Sequence, residues 1–142
     1  MKPIRCKVVC VFRDAGRILV LEGLDPATGE RFLFPVGGGM EFGETSEAAL
    51  IREVREELGA EITAVRRLGL LENRFTFNGV PEHEIVFVFD ARFQDAACYA
   101  TKRLPVVESN GERFVAEWRN VASLRKGAVP LYPAGLLDLA AR

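Results

Sequence analysis

Three glutamates, Glu53, Glu56 and Glu57, have the residue type and spacing best suited to chemistry. On a helix, which turns about 100° per residue, the spacings i,i+3 and i,i+4 bring side chains onto one face. Carboxylates at these spacings repel one another, which favours a cation among them. Mg²⁺ takes its oxygen ligands from carboxylates, waters and substrate phosphates. The spacing therefore suits a divalent cation site, although an acidic surface patch, partly neutralised by Arg52 and Arg55, is the commoner explanation of such a charge run taken alone.

The helix that must carry these glutamates begins, by its pattern, at Thr45 or Ser46 and ends at Leu58, with Gly59 as its C-cap. The expected buried face lies beside the acidic one and consists of apolar residues within an arc of about 100°. These residues are Leu50, Ile51, Val54 and Leu58. The carboxylates would therefore lie at the rim of the core, where a rigid helix can hold a site open.

A glycine-rich segment, Gly37-Gly38-Gly39, leads from a predicted strand through Glu44 into this helix. Glycine lets the backbone approach a ligand closely and exposes its amides and carbonyls. We expect these residues to form a loop that contacts phosphate. Because the glutamates would repel a diphosphate directly, a metal that bridges protein and diphosphate accounts for both features.

Composition limits the classes of function. The 142 residues are 49% hydrophobic and 27% charged, which predicts one globular domain over residues 1–142. A net charge of −1 argues against a binder of long nucleic acids and against docking on an anionic membrane. No segment approaches the roughly 18 apolar residues of a membrane span.

The three cysteines, Cys6, Cys10 and Cys98, are interpreted as buried free thiols. The first two would lie on one strand roughly 13 Å apart, too far for a disulfide or a shared tetrahedral metal. Unpaired thiols are typical of a reducing compartment, so we expect a cytoplasmic protein.

The remaining pattern predicts strands, turns and one further helix. Residues 5–13 and 17–24 are expected to form a hairpin, and the near-continuous apolar run 84–92 is expected to be a central strand. Other strands are predicted at 30–35, 66–77 and 113–118, a turn at Asn78-Gly79 and a helix at 133–142, whereas 96–104 is ambiguous. The predicted class is α+β, with a mixed β-sheet sandwiched between helices.

The run of Gly38, Glu44 and Arg52-Glu53-Val54-Arg55-Glu56-Glu57-Leu58-Gly59-Ala60 resembles the Nudix box of the Nudix hydrolases. A chance match of its seven required letters is on the order of 10⁻⁸ per start position at average composition. The box covers residues 38–60, and the surrounding strand order resembles the family's α/β/α sandwich. Ala60 and Val36 are mild departures, and neither removes a charged group.

The resemblance implies a Mg²⁺- or Mn²⁺-dependent enzyme that cleaves a nucleoside diphosphate linked to another group: a nucleoside triphosphate, a nucleotide sugar or a dinucleotide. It also implies metal ligands, namely Glu53, Glu56, Glu57 and the carbonyl of Gly37. Glu44 and Arg52 would form an ion pair that orients Glu53, with a solvated Arg52 as the alternative. Homodimer formation is common in the family.

The proton acceptor stays open among several glutamates. A helix glutamate, Glu53 or Glu57, is the first choice, and loop or strand-edge candidates are Glu82, Glu84, Glu108 and Glu112. Two alternatives to a hydrolase also stay open: a Nudix-fold module that binds nucleotide without cleaving it, and an enzyme like isoprenoid diphosphate isomerase.

Substrate contacts are expected from Gly38, Gly39, Arg74, Phe77, His83 and Glu84. Arg74 could bind phosphate, and Phe75 or Phe77 could stack on a base, the alternative being hairpin side chains that pack on the sheet. His83 is the only histidine, a residue type suited to proton transfer or substrate contact, and a structural or exposed imidazole is the alternative. Trp118 and Tyr132 are expected in the core.

Overall fold

The structure, a computed structural model, describes residues 1–142 and contains nine strands and four helices. The strands are β1 (Arg5–Cys10), β2 (Arg13–Asp14), β3 (Arg17–Leu24), β4 (Arg31–Phe34), β5 (Val36–Gly39), β6 (Ile62–Phe77), β7 (Val80–Phe93), β8 (Arg103–Val107) and β9 (Arg113–Asn120). The helices are α1 (Ser46–Leu58), α2 (Ala97–Ala100), α3 (Val121–Lys126) and α4 (Leu136–Ala140).

The first sheet has the strand order β5-β1-β7-β6, with β1 parallel to β7 and the other pairs antiparallel. The run 84–92 lies within β7, which has a partner on each side, so the predicted central strand is confirmed. The predicted turn is also confirmed. Asn78 and Gly79 have φ of 51° and 75° between the paired residues Phe77 and Val80, as a two-residue type I′ hairpin requires.

The second sheet contains β2, β3, β4, β8 and β9. The predicted hairpin between 5–13 and 17–24 is therefore wrong, because β1 belongs to the first sheet. Of the strands before residue 17, only the two-residue β2 pairs with β3. The chain crosses between the sheets at Val11 and Phe12, which are both fully buried. Phe12 belongs to one apolar cluster and Val11 to another. This separation divides the predicted strand 5–13 into β1 and β2.

Alternate residues of β1 face opposite sides of the first sheet. Val8 and Cys10 belong to the apolar cluster of α1, whereas Val9 and Val11 belong to the cluster of α4. The mixed sheet thus has α1 on one face and α4 on the other, as the predicted sandwich of the α+β class requires. None of the four helices combines the length and the apolar character that crossing a membrane requires.

The glycine segment forms the edge strand β5 instead of the expected loop. It pairs with β1 so closely that a Cβ on Gly37 would lie 2.0 Å from the carbonyl oxygen of Val8. Only glycine permits this approach, so tertiary pairing overrides the poor strand propensity of glycine.

Three further expectations change. The last helix begins at Leu136 and not at Pro133, because Gly135 has a φ of 92°, which is incompatible with a helix. The ambiguous segment 96–104 divides into α2 and the start of β8. Cys6 is exposed, whereas Cys10 is buried as expected, and all three thiols are free.

Candidate active site

Helix α1 is positioned by local signals and by its apolar face. Thr45 Oγ1 accepts a hydrogen bond from the amide of Ala48 at 3.2 Å and caps the first turn. Gly59, with a φ of 64°, ends the helix as predicted. Leu50 and Val54 are fully buried, which fixes the rotation of the helix against β1, β5 and β8. The acidic edge of α1 consequently faces β5.

Glu53 lies directly against this glycine strand. A Cβ on Gly38 would lie 2.4 Å from both Cδ and Oε2 of Glu53, so the carboxylate occupies the space that any other residue's side chain would need. Only 12% of the Glu53 side chain is exposed. The close approach of α1 to β5 therefore depends on the absence of a side chain at residue 38.

Arg52 connects the loop, the strand and the helix. Its Nε and Nη2 donate to the two carboxylate oxygens of Glu44 at 2.7 and 2.9 Å, which is the expected ion pair. Nη2 also donates to the carbonyl of Gly39 at 3.0 Å, and Nη1 donates to Glu53 at 2.9 Å and Glu56 at 3.2 Å. This planar fork orients Glu53, a task that lysine cannot perform with the same geometry.

Glu44 also accepts from the amide of Glu41 at 2.8 Å, which closes the loop before α1. The hydrogen bonds from Arg52 are the main reason why the pKa of Glu44 falls from 4.5 to about 2. The same pairing raises the pKa of Arg52 above its usual value. Both groups are therefore charged at neutral pH, as a stable ion pair requires.

Glu57 is buried, with 5% of the residue exposed, and neither carboxylate oxygen has a hydrogen-bond partner. Burial, reinforced by the carboxylates of Glu53 and Glu108, raises its pKa from 4.5 to about 10. A buried acidic group without a partner is costly, and a divalent cation between it and Glu53 would satisfy both. The orphaned oxygens thus fit a hard metal ion.

Glu56 does not join this pair. Its side chain is 53% exposed and is bonded to Arg52 on the solvent side of the helix. The expected convergence of three carboxylates is therefore wrong for this structure, in which no group of three or more His, Cys, Asp or Glu side chains is arranged around a common point. The i,i+4 ion pair with Arg52 explains why Glu56 turns outward.

A cleft of about 1650 Å³ opens beside the Glu53 edge and is lined by residues of both sheets. Seven of the sequence-predicted site residues line it: Gly37, Gly38, Gly39, Glu53, Arg74, Phe77 and Glu84. The others do not line it: Glu44, Arg52, Glu56, Glu57 and His83. His83 lies on β7 opposite Arg74 of β6, next to the cleft-lining Glu84.

Glu84 is held by two cations that were not among the predicted site residues. One of its oxygens, Oε2, accepts a hydrogen bond from Arg5 at 2.6 Å and lies 3.7 Å from Lys7 Nζ, and the residue is only 3% exposed. Arg5 and Lys7 lie two residues apart on β1 and thus point to one side. The alternation along β1 predicts that Arg5 and Lys7 share one face of the sheet. It does not predict that this face contains Glu84, because the parallel pairing of β1 with β7 cannot be seen in the sequence.

An aromatic group forms another part of the cleft wall. The Phe32 ring lies 5.7 Å from Phe34 and 6.0 Å from both Phe77 and Tyr132, measured between centroids. Phe32 and Phe34 were not among the predicted site residues, although both occur in β4 just before the glycines. Tyr132 is 38% exposed and lines the cleft, so its expected core position is wrong, whereas Trp118 is buried as expected.

The other glutamate candidates divide by position. Glu108 and Glu112 line the cleft from the β8–β9 loop, whereas Glu82 pairs with Lys2 at 3.2 Å outside it. Glu108 is half-buried and has no ion-pair partner, and its burial raises its pKa. Arg74 lines the cleft and likewise makes no ion pair or side-chain hydrogen bond in the structure.

Comparison with known proteins gives the family. The family model of the NUDIX domain matches residues 1–136. A curated relative, the nucleoside triphosphatase NudI of Enterobacter sp. (strain 638), is 72% identical over 32 residues. This match covers 21% of the chain and 23% of that protein.

Solved structures agree over nearly the whole chain. A MutT NUDIX hydrolase from Burkholderia pseudomallei has a TM-score of 0.71 at 25% identity, with 98% of each chain covered. A NUDIX-family hydrolase from Clostridium perfringens has a TM-score of 0.64 at 18% identity, covering 98% of this chain and 95% of that one. A NUDIX hydrolase from Nitrosomonas europaea reaches 0.62 at 19% identity, covering 98% and 87%. With its box on α1, its α+β fold and the match over residues 1–136, the chain belongs to the Nudix family.

Proposed function

We propose that this protein hydrolyses the diphosphate linkage of a nucleoside diphosphate joined to another group, with Mg²⁺ or Mn²⁺ as cofactor. The observation that carries the proposal is the buried, unpartnered carboxylate of Glu57 beside Glu53, at the edge of a large cleft. Arg52 pairs with Glu53, but neither carboxylate oxygen of the buried Glu57 has a hydrogen-bond partner, so the chemistry of Glu57 calls for a cation.

The residues that would hold the metal are Glu53, Glu57 and the carbonyl of Gly37. A bound divalent cation supplies charge neutralisation at the diphosphate and lowers the pKa of an attacking water. Arg52 keeps Glu53 directed at β5 through the 2.9 Å hydrogen bond between them. The rigid helix and the strand together pre-organise the ligands.

Glu108 joins Glu53 and Glu57 as a candidate for the group that accepts the proton of the attacking water. Its carboxylate lines the same cleft as Glu53 and makes no ion pair that would reduce its basicity. Glu84 is less suited, because its Oε2 already accepts a hydrogen bond from Arg5 at 2.6 Å and the residue is only 3% exposed. Glu82 lies outside the cleft lining. Attack on phosphorus by water, with the proton passing to a carboxylate, releases two phosphate-bearing products.

The nucleoside is assigned to the aromatic part of the cleft. Phe32, Phe77 and Tyr132 offer ring faces for stacking, and the unpaired Arg74 lies on the same wall. Among the substrate classes, the name of the partly matching relative supports a nucleoside triphosphate, while the cleft also has room for a nucleotide sugar or a dinucleotide. The proposal includes a cytoplasmic location, which the three free thiols support.

The test is a panel of nucleoside triphosphates, nucleotide sugars and dinucleoside polyphosphates, incubated with Mg²⁺ or Mn²⁺ and analysed by chromatography. We expect the wild type to release a nucleoside monophosphate from at least one of them and Glu57→Gln to be at least about 100-fold slower, as loss of a catalytic metal ligand implies. Calorimetry with Mn²⁺ establishes that the metal is bound. A wild type that binds Mn²⁺ and a nucleotide but cleaves nothing would support the non-catalytic binding module instead.

A further inference from the structure

Lys7 is a cleft cation whose hydrogen-bonding capacity is unused. Its Nζ lies 3.7 Å from Oε2 of Glu84, outside hydrogen-bond range, and no acceptor in the protein takes any of its three N–H groups. One third of the side chain is exposed, and the residue lines the cleft. Lysine heads on a protein surface normally extend into water, whereas this one is held in a concave site.

The position of Lys7 follows from strand pairing. On β1 it lies opposite Gly39 of β5, so no neighbouring side chain on that strand covers it. Arg5, two residues earlier, takes the short hydrogen bond to the same oxygen of Glu84. A second carboxylate, Glu82, lies 3.9 Å from Arg5 and 3.2 Å from Lys2. Three cations of this group (Lys2, Arg5 and Lys7) therefore share two carboxylates (Glu82 and Glu84), and the group keeps one excess positive charge.

Lys7 lines the same cleft as the acidic residues Glu53 and Glu108. The positive charge of Lys7 opposes the rise in the pKa of both Glu57 and Glu108. The Lys7 ammonium lines the cleft beside the carboxylates that would hold a metal, but it is hydrogen-bonded to none of them. It can therefore contact an anion that the metal also contacts.

We propose that Lys7 binds the phosphate oxygens of the substrate's diphosphate, alongside the metal site. The inference rests on the proposed function and extends it to a residue outside the Nudix box. The ammonium would donate up to three hydrogen bonds to phosphate oxygens, while Glu84 and Arg5 keep its carbon chain directed into the cleft. Lys7 is a binding residue in this scheme and transfers no proton.

The experiment measures binding without turnover. Methylenediphosphonate, a diphosphate analogue that hydrolysis cannot cleave, is titrated by calorimetry into wild type, Lys7→Met and Lys7→Arg with Mg²⁺ present. We expect Lys7→Met to bind about 10- to 100-fold more weakly, as loss of charge-assisted hydrogen bonds implies, and Lys7→Arg to retain most of the affinity. Lys102→Met removes an exposed lysine outside the cleft and should leave binding unchanged.

A purely structural ion pair with Glu84 predicts a different pattern. Lys7→Met would then lower the unfolding temperature and leave the analogue affinity equal to that of the wild type, and this result would overturn the proposal. Lys7→Gln provides the same comparison if Lys7→Met folds poorly. Mn²⁺ affinity in the absence of the analogue should not fall in Lys7→Met, because this variant removes a cation that acts on Glu57.

The two proposals can fail separately. Weaker analogue binding by Lys7→Met, in a protein that cleaves no nucleotide, would support the Lys7 site and reject the hydrolase. Active enzyme with unchanged analogue affinity in Lys7→Met would reject the Lys7 site only. In an active enzyme we further expect Lys7→Met to raise KM more than it lowers kcat, because binding to an existing phosphate charge is shared by ground and transition states.

Discussion

The carboxylate of Glu53 lies against the α-carbon of Gly38, in space that no side chain at residue 38 could share. This contact joins the two parts of the candidate metal site, since Glu53 comes from α1 and Gly38 from β5. The next glycine, Gly39, has no atom within 4 Å of the place where its Cβ would be. Adjacent glycines in one strand therefore have different structural requirements, and the difference can be tested.

Gly38→Ala should displace the Glu53 carboxylate, because the new Cβ would lie 2.4 Å from it. We expect a loss of about 1–3 kcal/mol in the free energy of unfolding, typical of overpacking. Mn²⁺ affinity, measured by calorimetry, should fall by at least about ten-fold. Gly39→Ala is the matched control and should change neither quantity. Equal Mn²⁺ affinity in both variants would contradict the role given to this contact.

The ion pair of Glu44 and Arg52 should make stability depend on pH in the acidic range. Because Arg52 lowers the pKa of Glu44 from 4.5 to about 2, the pair stabilises the fold fully above pH 4.5, and its contribution disappears as the pH falls to 2. Urea unfolding of wild type and Glu44→Gln should therefore differ at neutral pH and converge toward pH 2. Glu47→Gln, on the exposed first turn of α1, should show a smaller difference at every pH.

Gly23→Ala should rearrange the aromatic wall of the cleft. A Cβ on Gly23 would lie 2.6 Å from Cζ of Phe32, so the ring must shift, which alters its contacts with Phe77 and Tyr132. If this wall stacks on the nucleobase, KM for a nucleoside triphosphate should rise by about ten-fold, in line with the loss of one base–aromatic contact. Affinity for methylenediphosphonate should stay unchanged. Val115→Ala, at an exposed position on β9, serves as the control, and an unchanged KM in Gly23→Ala would remove Phe32 from the nucleoside site.

Asp25 should stabilise the cleft across the two sheets. Its buried carboxylate accepts hydrogen bonds from the amides of Ala27 at 2.9 Å and Asn78 at 3.1 Å, joining the β3–β4 loop to the β6–β7 turn. Asp25→Ala leaves both amides without this acceptor and should lower the free energy of unfolding by about 1–3 kcal/mol. Asp25→Asn keeps an acceptor oxygen and should lose less. Asp95 is exposed, so Asp95→Ala should lower the free energy of unfolding less than Asp25→Ala does. An equal loss in the two variants would show that the burial of Asp25 does not cause the effect.

Features encoded by neighbouring residues could be predicted from the sequence. The bounds of α1 follow from the Thr45 cap, the apolar spacing and Gly59, and the turn at Asn78 and Gly79 follows from a preference for positive φ. Membership of the Nudix family follows from the box because its charged residues have a fixed spacing. Each of these signals lies within about 25 residues, so no knowledge of strand pairing is needed.

Features that depend on distant pairing could not be predicted. Arg5 and Glu84, which are 79 residues apart, meet only because β1 and β7 pair in parallel. The crossing at Val11 and Phe12 depends on two apolar clusters that form on opposite faces of one sheet. The outward turn of Glu56 depends on a competition for Arg52 that helical spacing does not resolve.

The alternation of side chains along β1 makes this short strand unusually sensitive to length. Deleting one residue after Lys7 would move each preceding side chain to the other side of the sheet, so the ammonium would enter the apolar cluster of Val8 and Cys10. A deletion scan should therefore find fewer tolerated positions in residues 7–10 than in the exposed residues 1–4, even where single substitutions are accepted.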